Sequence, residues 1–177
     1  MRLDLHADVK VEDDAMETPD HPASDTPAPD ITARGRDRVN TVNQRVIEEF
    51  RARQGRVGGV FEGQPLLLLT TTGARSGLPR TNPAVYLPDG EDRVAVFASN
   101  GGAPAAPAWY HNLAARPEAT VEVGDRTYRV RAREATGPER ERLWGRQVAA
   151  DPQFAAFQER AGRRIPVLVL TRWDGRP

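Results

Sequence analysis

Residues 66–99 constrain the fold most: "LLLLTTTGARSGLPRTNPAVYLPDGEDRVAVFAS" reverses direction twice in a short span. Leu66 to Thr71 is an apolar run that reads as a strand. Thr81 to Leu87 is extended again, and Pro83 near its start implies an edge or a bulge, because proline has no N–H for a sheet ladder. Pro88 to Gly90, "PDG", reads as a hairpin turn, and "RVAVFAS" follows as a third strand. Strands joined by turns this short pair antiparallel. Further along, "ATVEV", a Gly124-Asp125 turn and "TYRVRARE" form a second hairpin, and "IPVLVLTRW" is a final strand. Six strands with short helices between them predict a mainly β (α+β) domain, a mixed barrel with helical decorations.

The helices follow from period and end signals. In "RDRVNTVNQRVIEEFRARQ", Val39, Val42, Val46, Ile47 and Phe50 recur at helical spacing, so this amphipathic helix is expected to lid the sheet. Gly55 is its expected end. Glu48 and Glu49 dilute the basic face, so a membrane-surface role is the lesser reading. "GRVGGVFEGQP" reads as a loop. "AWYHNLAARP" reads as a short helix ending before Pro117. Thr136 and Glu139 suit a capping box opening "PERERLWGRQVAA", and Asp151-Pro152 starts another helix through Gln158.

Residues 1–30 differ in kind. They hold nine acids, two bases and no aromatic residue. Such a segment buries too little apolar surface to offset its chain entropy, so a disordered acidic tail is expected, with the domain spanning 31–177. The zero net charge is thus the balance of a −7 tail and a +7 domain. A basic domain suits an anionic ligand, although charge alone favours a solvated arginine surface.

The same charge marks one turn. Arg75 and Arg80 lie with Gly73, Gly77 and Pro79 between two apolar strands. Arginine is a planar fork matched to phosphate and carboxylate, and glycines let backbone N–H groups approach an anion. Other chemistry lacks its parts. There is no cysteine, and His6, His21 and His111 are scattered, so no metal site is expected. Ser76 and Ser99 have no evident base partner, and neither usual nucleotide loop is present. Trp109, Trp144, Phe154 and Phe157 fall on predicted helices and suit a core at least as well as a nucleic-acid surface. No run approaches the ~20 apolar residues of a membrane span, and no secretory signal is evident. A cytoplasmic setting is expected, with peripheral membrane contact left open.

The segments 46–87, 97–123 ("FASNGGAPAAPAWYHNLAARPEATVEV") and 163–173 ("RRIPVLVLTRW") together resemble the deazaflavin-dependent nitroreductase family. The resemblance rests on T-T-G-x-x-S/T-G-x-x-R followed by W-Y-x-N-L and spans about residues 41–173. It implies a six-stranded split β-barrel and the deazaflavin coenzyme F-420, whose phosphate and polyglutamate tail make a long polyanion. It implies that Ala74, Arg75, Ser76 and Arg80 hold that anionic portion and that Asn82 and Pro83 line the ring pocket. Ser99, Asn100 and Gly101 match a phosphate loop in which the family has lysine at position 100. Trp109 and Asn112 face the coenzyme, and Phe154 and Phe157 stand where a relative has phenols over the acceptor. The implied function is hydride transfer to a quinone, enone or nitro compound, with the ring chemistry supplied by the coenzyme. A non-catalytic deazaflavin carrier and an FMN or haem binder on the same barrel are the alternatives, and monomer and homodimer are both open.

Overall fold

A computed structural model describes residues 31–175, with side chains from Asn40 onward. The expected acidic tail, 1–30, lies outside the described residues. In chain order the elements are α1 (Ile31–Ala52), β1 (Leu66–Thr72), β2 (Pro79–Pro88), β3 (Arg93–Phe97), α2 (Ala108–Ala115), β4 (Glu118–Val123), β5 (Arg126–Glu134), α3 (Gly137–Ala150), α4 (Gln153–Ala161) and β6 (Val167–Arg172). Short 3-10 turns at Gly59–Phe61 and Asn100–Gly102 interrupt the loops.

The strands close into one antiparallel barrel in the order β1-β2-β3-β6-β5-β4. Three of its junctions are hairpins readable from local turns. The other three, β3–β6, β5–β6 and β1–β4, join distant segments. The six strands and the helices therefore match the expected barrel.

The leucine run of β1 does not alternate because both its faces are buried. Leu67 and Leu69 point into the barrel with Val94, Val96, Val121, Val130, Leu168 and Leu170. Leu66 and Leu68 point outward to Val46, Ile47 and Phe50 of α1. The outer residues of β3 and β6, Ala95, Phe97, Val167 and Val169, meet Leu143 of α3 and Phe154 of α4. Trp109 and Leu113 of α2 pack in the barrel interior.

α1 lids the outside of β1 as expected, with two differences. It begins at Ile31, earlier than its apolar spacing suggested, and Val42 is 54% exposed, so among the described side chains the apolar stripe is engaged from Val46. Gly55 has φ +92, and a Cβ there would come within 2.8 Å of Gly124 Cα in the β4–β5 turn. Only glycine fits where the two turns meet.

The capping box does not form. Thr136 caps α3 without a side-chain hydrogen bond, and both Glu139 carboxylate oxygens accept instead from Arg133, at 2.6 and 2.8 Å. A charged fork outcompetes a single backbone N–H. At α4, Asp151 Oδ1 accepts from Gln153 N–H at 3.1 Å, and the helix continues past Gln158 to Ala161.

β2 starts at Pro79, two residues earlier than expected, and pairs with β1 along Pro79–Val85. It meets β3 only at Tyr86–Pro88. Tyr86 N–H donates to Pro65 O on the β1 side, so the alternate N–H positions, including Pro83, face away from β1. Pro83 thus sits on an open edge.

Candidate functional site

The β1–β2 turn, Gly73 to Leu78, is closed by its own backbone. Gly73 N–H donates to Leu78 O at 2.9 Å and Gly77 N–H to Gly73 O at 2.8 Å. Ser76 Oγ accepts from Leu78 N–H at 3.3 Å. A Cβ on Gly73 would lie 2.5 Å from Ser76 Oγ, so the first glycine lets the serine fold back.

The turn is then tied to α2. Asn112, 7% exposed, accepts from Ala74 N–H and donates to Thr71 Oγ1, both at 3.0 Å. The amide expected against the coenzyme is engaged inside the protein, and so is the Ala74 N–H. Trp109, 6% exposed, is likewise a barrel-core residue.

Arg75 is exposed on this turn and Arg80 at the start of β2 beside it. Among the described residues neither guanidinium makes an ion pair or hydrogen bond. About half of the other described arginines find acids, among them Arg51 with Glu122, Arg133 with Glu139, and Arg93, Arg142 and Arg146 with Asp89. Two exposed cations left without acids, one on the anchored turn and one at the start of β2, are available to an anion. Arg80 and Asn82 share the strand parity of Ala84, which points into the barrel, so they line up toward its mouth.

A second cluster forms around the Asn100–Gly102 turn. Asn100, Gly101 and Gly102 have φ of +48, +61 and +79. Asparagine tolerates this left-handed region better than lysine. Asn100 Nδ2 donates to Ala105 O at 3.0 Å, so the donor expected in place of a lysine is engaged in the loop itself. Ser99 is buried. Among the described residues the N–H groups of Asn100 and Gly101 have no partner, while Gly102 N–H and Ala103 N–H close the turn onto Ser99 O and Asn100 O. A Cβ on Gly102 would meet Arg160 Nε at 2.8 Å and Phe157 Cα at 3.1 Å, so α4 lies directly on the loop.

The two phenylalanines separate. Phe154 is 4% exposed, with edge-on rings of Phe97, Trp144 and Phe157 at centroid distances of 5.5, 6.4 and 5.3 Å. It is a core residue rather than an open wall. Phe157 is half-buried, with the Arg160 guanidinium 5.5 Å from its ring.

Two residues had no signal in the sequence. Arg163 Nη2 lies 3.0 Å from Ala98 O and 3.2 Å from Ala105 O. Gln158 Nε2 donates to Arg163 O, and Gln158 Oε1 accepts from Ile165 N–H at 3.0 Å, which fixes the segment between α4 and β6. On α2, burial first and then the hydrogen bond to Glu134 push the Tyr110 phenol above its usual range, so it stays protonated. The described residues contain no cluster of acids and histidines able to hold a metal. No described helix is long and apolar enough to cross a membrane.

A family model described as F420H(2)-dependent quinone reductase matches residues 42–172. An F420H(2)-dependent quinone reductase of Mycobacterium tuberculosis is 40% identical over 129 residues, which are 70% of this chain and 85% of that protein. A solved structure of an F420-H2 dependent reductase is 40% identical, with a TM-score of 0.55, covering 60% of this chain and 93% of its own. A second, described as a domain-swapped dimer, is 35% identical with a TM-score of 0.57, covering 78% and 98%. The match is to quinone reductases, so the nitroreductase label suggested by the motifs is too imprecise.

Proposed function

The chain belongs to the F420H(2)-dependent quinone reductase family, and from that premise we propose how its barrel carries out the reaction. The protein is an oxidoreductase that uses reduced deazaflavin coenzyme F-420 to reduce an electron-poor small molecule, a quinone first among the candidates. The observation that carries the site assignment is the pair Arg75 and Arg80, exposed and without acids on and beside a turn that Asn112 anchors.

The residues fit such a coenzyme. Arg75 and Arg80 offer forks to its phosphate and carboxylates. Ser76 shapes the turn, and Ala74 anchors it to Asn112. Asn82 and Pro83 lie further along the same strand, toward the ring. Asn100 and Gly101 offer free backbone N–H groups, and the buried Ser99, whose own N–H donates to Phe97 O, leads into them. Trp109 and Asn112 support the site from beneath, and Phe157 is the acceptor-side wall that Phe154 backs. When bound, the reduced coenzyme supplies a hydride from carbon 5 of its ring. The chain's own residues bind it, orient it and exclude competing reactions. A quinone that accepts the hydride becomes hydroquinone on gaining one proton, which solvent supplies. No catalytic side chain is assigned. The dimer described for the second solved structure supports a homodimer as the assembled form.

Titration of the purified chain with F-420, FMN and haem, followed by oxidation of the reduced coenzyme in the presence of a quinone, tests this reading. Deazaflavin binding with quinone-dependent turnover is expected. Tight binding of FMN or haem alone would sink it, and deazaflavin binding without turnover of any quinone, enone or nitro compound would make the protein a carrier.

A further inference from the structure

Arg163 lies between α4 and β6, about sixty residues from the loop it touches. Its Nη2 faces four carbonyls: Ala98 at 3.0 Å, Ala105 at 3.2 Å, and Ser99 and Ala103 at 3.4 Å. One amino group has two protons, so the bonds are shared, with Ala98 and Ala105 best placed. Its Nε is buried and has no partner. Among the described residues no carboxylate pairs with it. A half-buried cation with no counter-charge is costly unless something negative comes to it.

The loop around it explains what that is. Four carbonyl dipoles turn inward onto the guanidinium. The turn between them runs through three successive left-handed residues, and the N–H groups at its exposed positions, Asn100 and Gly101, are left without acceptors. Successive N–H groups in such a conformation form an anion-binding concavity. α4 holds the arrangement: Gln158 grips Arg163 O, and Phe157 and Arg160 lie against Gly102.

We propose that Arg163 is the positioning residue for the phosphate of the coenzyme. It shapes the Ser99–Ala105 loop into an anion cradle from behind, and it contributes there the positive charge that Asn100 does not carry. This rests on the functional reading above. Asn100 suits the backbone of the cradle, and Arg163 provides its charge. The two duties that one lysine would combine are divided between residues on different elements.

The test uses the full chain with Arg163→Gln and Arg163→Lys, the latter keeping a charge in case the neutral variant folds poorly. Three readouts apply: F-420 affinity against salt, affinity for a tail-less deazaflavin, and amide hydrogen exchange over 99–105 without ligand. Arg163→Gln is expected to weaken F-420 binding about tenfold or more and to flatten its salt dependence. Arg163→Lys is expected to keep the salt dependence but lose affinity, since one ammonium on a flexible stem does not reproduce the fork. In both variants loop amides exchange faster while Gly73 and Gly77 do not change, and the tail-less ligand binds as before. Equal weakening for both ligands would reduce Arg163 to a general structural role and overturn the proposal. So would unchanged F-420 affinity in both variants. Failure of the parent protein to bind F-420 would overturn the functional reading itself, a result distinct from either.

Discussion

Asn112 on α2 accepts a hydrogen bond from the Ala74 N–H of the β1–β2 turn at 3.0 Å, across 38 residues of chain. Its other amide atom donates to Thr71 Oγ1 at the same distance. Asn112→Ala leaves a buried hydroxyl and a turn N–H without partners, a loss of about 1–3 kcal/mol. Chemical unfolding is expected to show that loss, and F-420 titration a weaker affinity, because the arginine turn is no longer held. Unchanged stability would show that water replaces the amide without cost.

Arg75 and Arg80 lack acid partners, so their removal separates binding from stability. Each is expected to contribute a charge-assisted bond of roughly 1.5–3 kcal/mol to the anionic part of the coenzyme. Arg75→Ala and Arg80→Ala then raise the dissociation constant by about one to two orders of magnitude each, with melting temperature unchanged. A tail-less deazaflavin binds both variants nearly as it binds the parent. A fall in melting temperature without a change in affinity would make the pair structural.

Asp89 is 7% exposed and receives hydrogen bonds from Arg93, Arg142 and Arg146. The bonds from Arg142 lower its pKa most, burial opposes them, and the charges of Arg142, Arg93 and Arg146 add to the lowering. A carboxyl depressed in the folded state gives stability that is complete above its unfolded value, 3.8. That stability is lost as pH falls through the lower folded value. Urea midpoints measured from pH 7 down to pH 2 are expected to fall along this limb, and Asp89→Asn to be less stable at pH 7 with a shallower limb. An identical acid profile in the variant would move the effect to other carboxylates.

Phe154 and Phe157 are expected to respond differently to an added hydroxyl. At the buried Phe154 the tyrosine oxygen has no described partner, so Phe154→Tyr costs about 1–3 kcal/mol of stability. At the half-exposed Phe157 the hydroxyl reaches solvent, so Phe157→Tyr keeps stability and coenzyme affinity and changes acceptor turnover. Steady-state rates with a quinone and a nitroimidazole, beside thermal melts, decide it. A Phe157→Tyr protein with altered coenzyme affinity would put this ring at the wrong end of the site.

Asn100→Lys adds a charge but gives up the Ala105 O hydrogen bond and a residue type suited to φ +48. Binding of F-420 is expected to tighten at low salt and to lose that gain at high salt, since the added attraction is Coulombic. The melting temperature falls slightly. Tighter binding that persists at high salt would argue for a reshaped loop instead.

The sequence made the hairpins legible because each is a local event: an extended run, a tight turn, another extended run. The arginine turn was legible for the same reason, since Gly73, Arg75, Gly77 and Arg80 lie within eight positions. Barrel closure was not readable from local pattern, because Leu69 of β1 meets Val121 of β4 only after half the domain has been laid down. The link from Arg163 to Ala98 and Ala105 is hidden for the same reason. Burial on two faces also defeated spacing. Phe154 carries no mark that separates a ring packed on Phe97 from one facing a ligand, and Val42 fits the helical stripe yet is more than half exposed.

The open edge of β2 has a consequence for how the protein behaves in a crowd. Its N–H positions facing away from β1 are residues 79, 81, 83 and 85, and two of these are proline. A foreign strand would find donors only at Thr81 and Val85, about 14 Å apart at 3.4 Å per residue. That spacing denies it a ladder. The one stretch of β2 left unpaired on that side can stay uncovered for a small molecule without seeding fibrils or precipitates. Replacing Pro83 with valine would restore a donor midway and turn an entrance into a template.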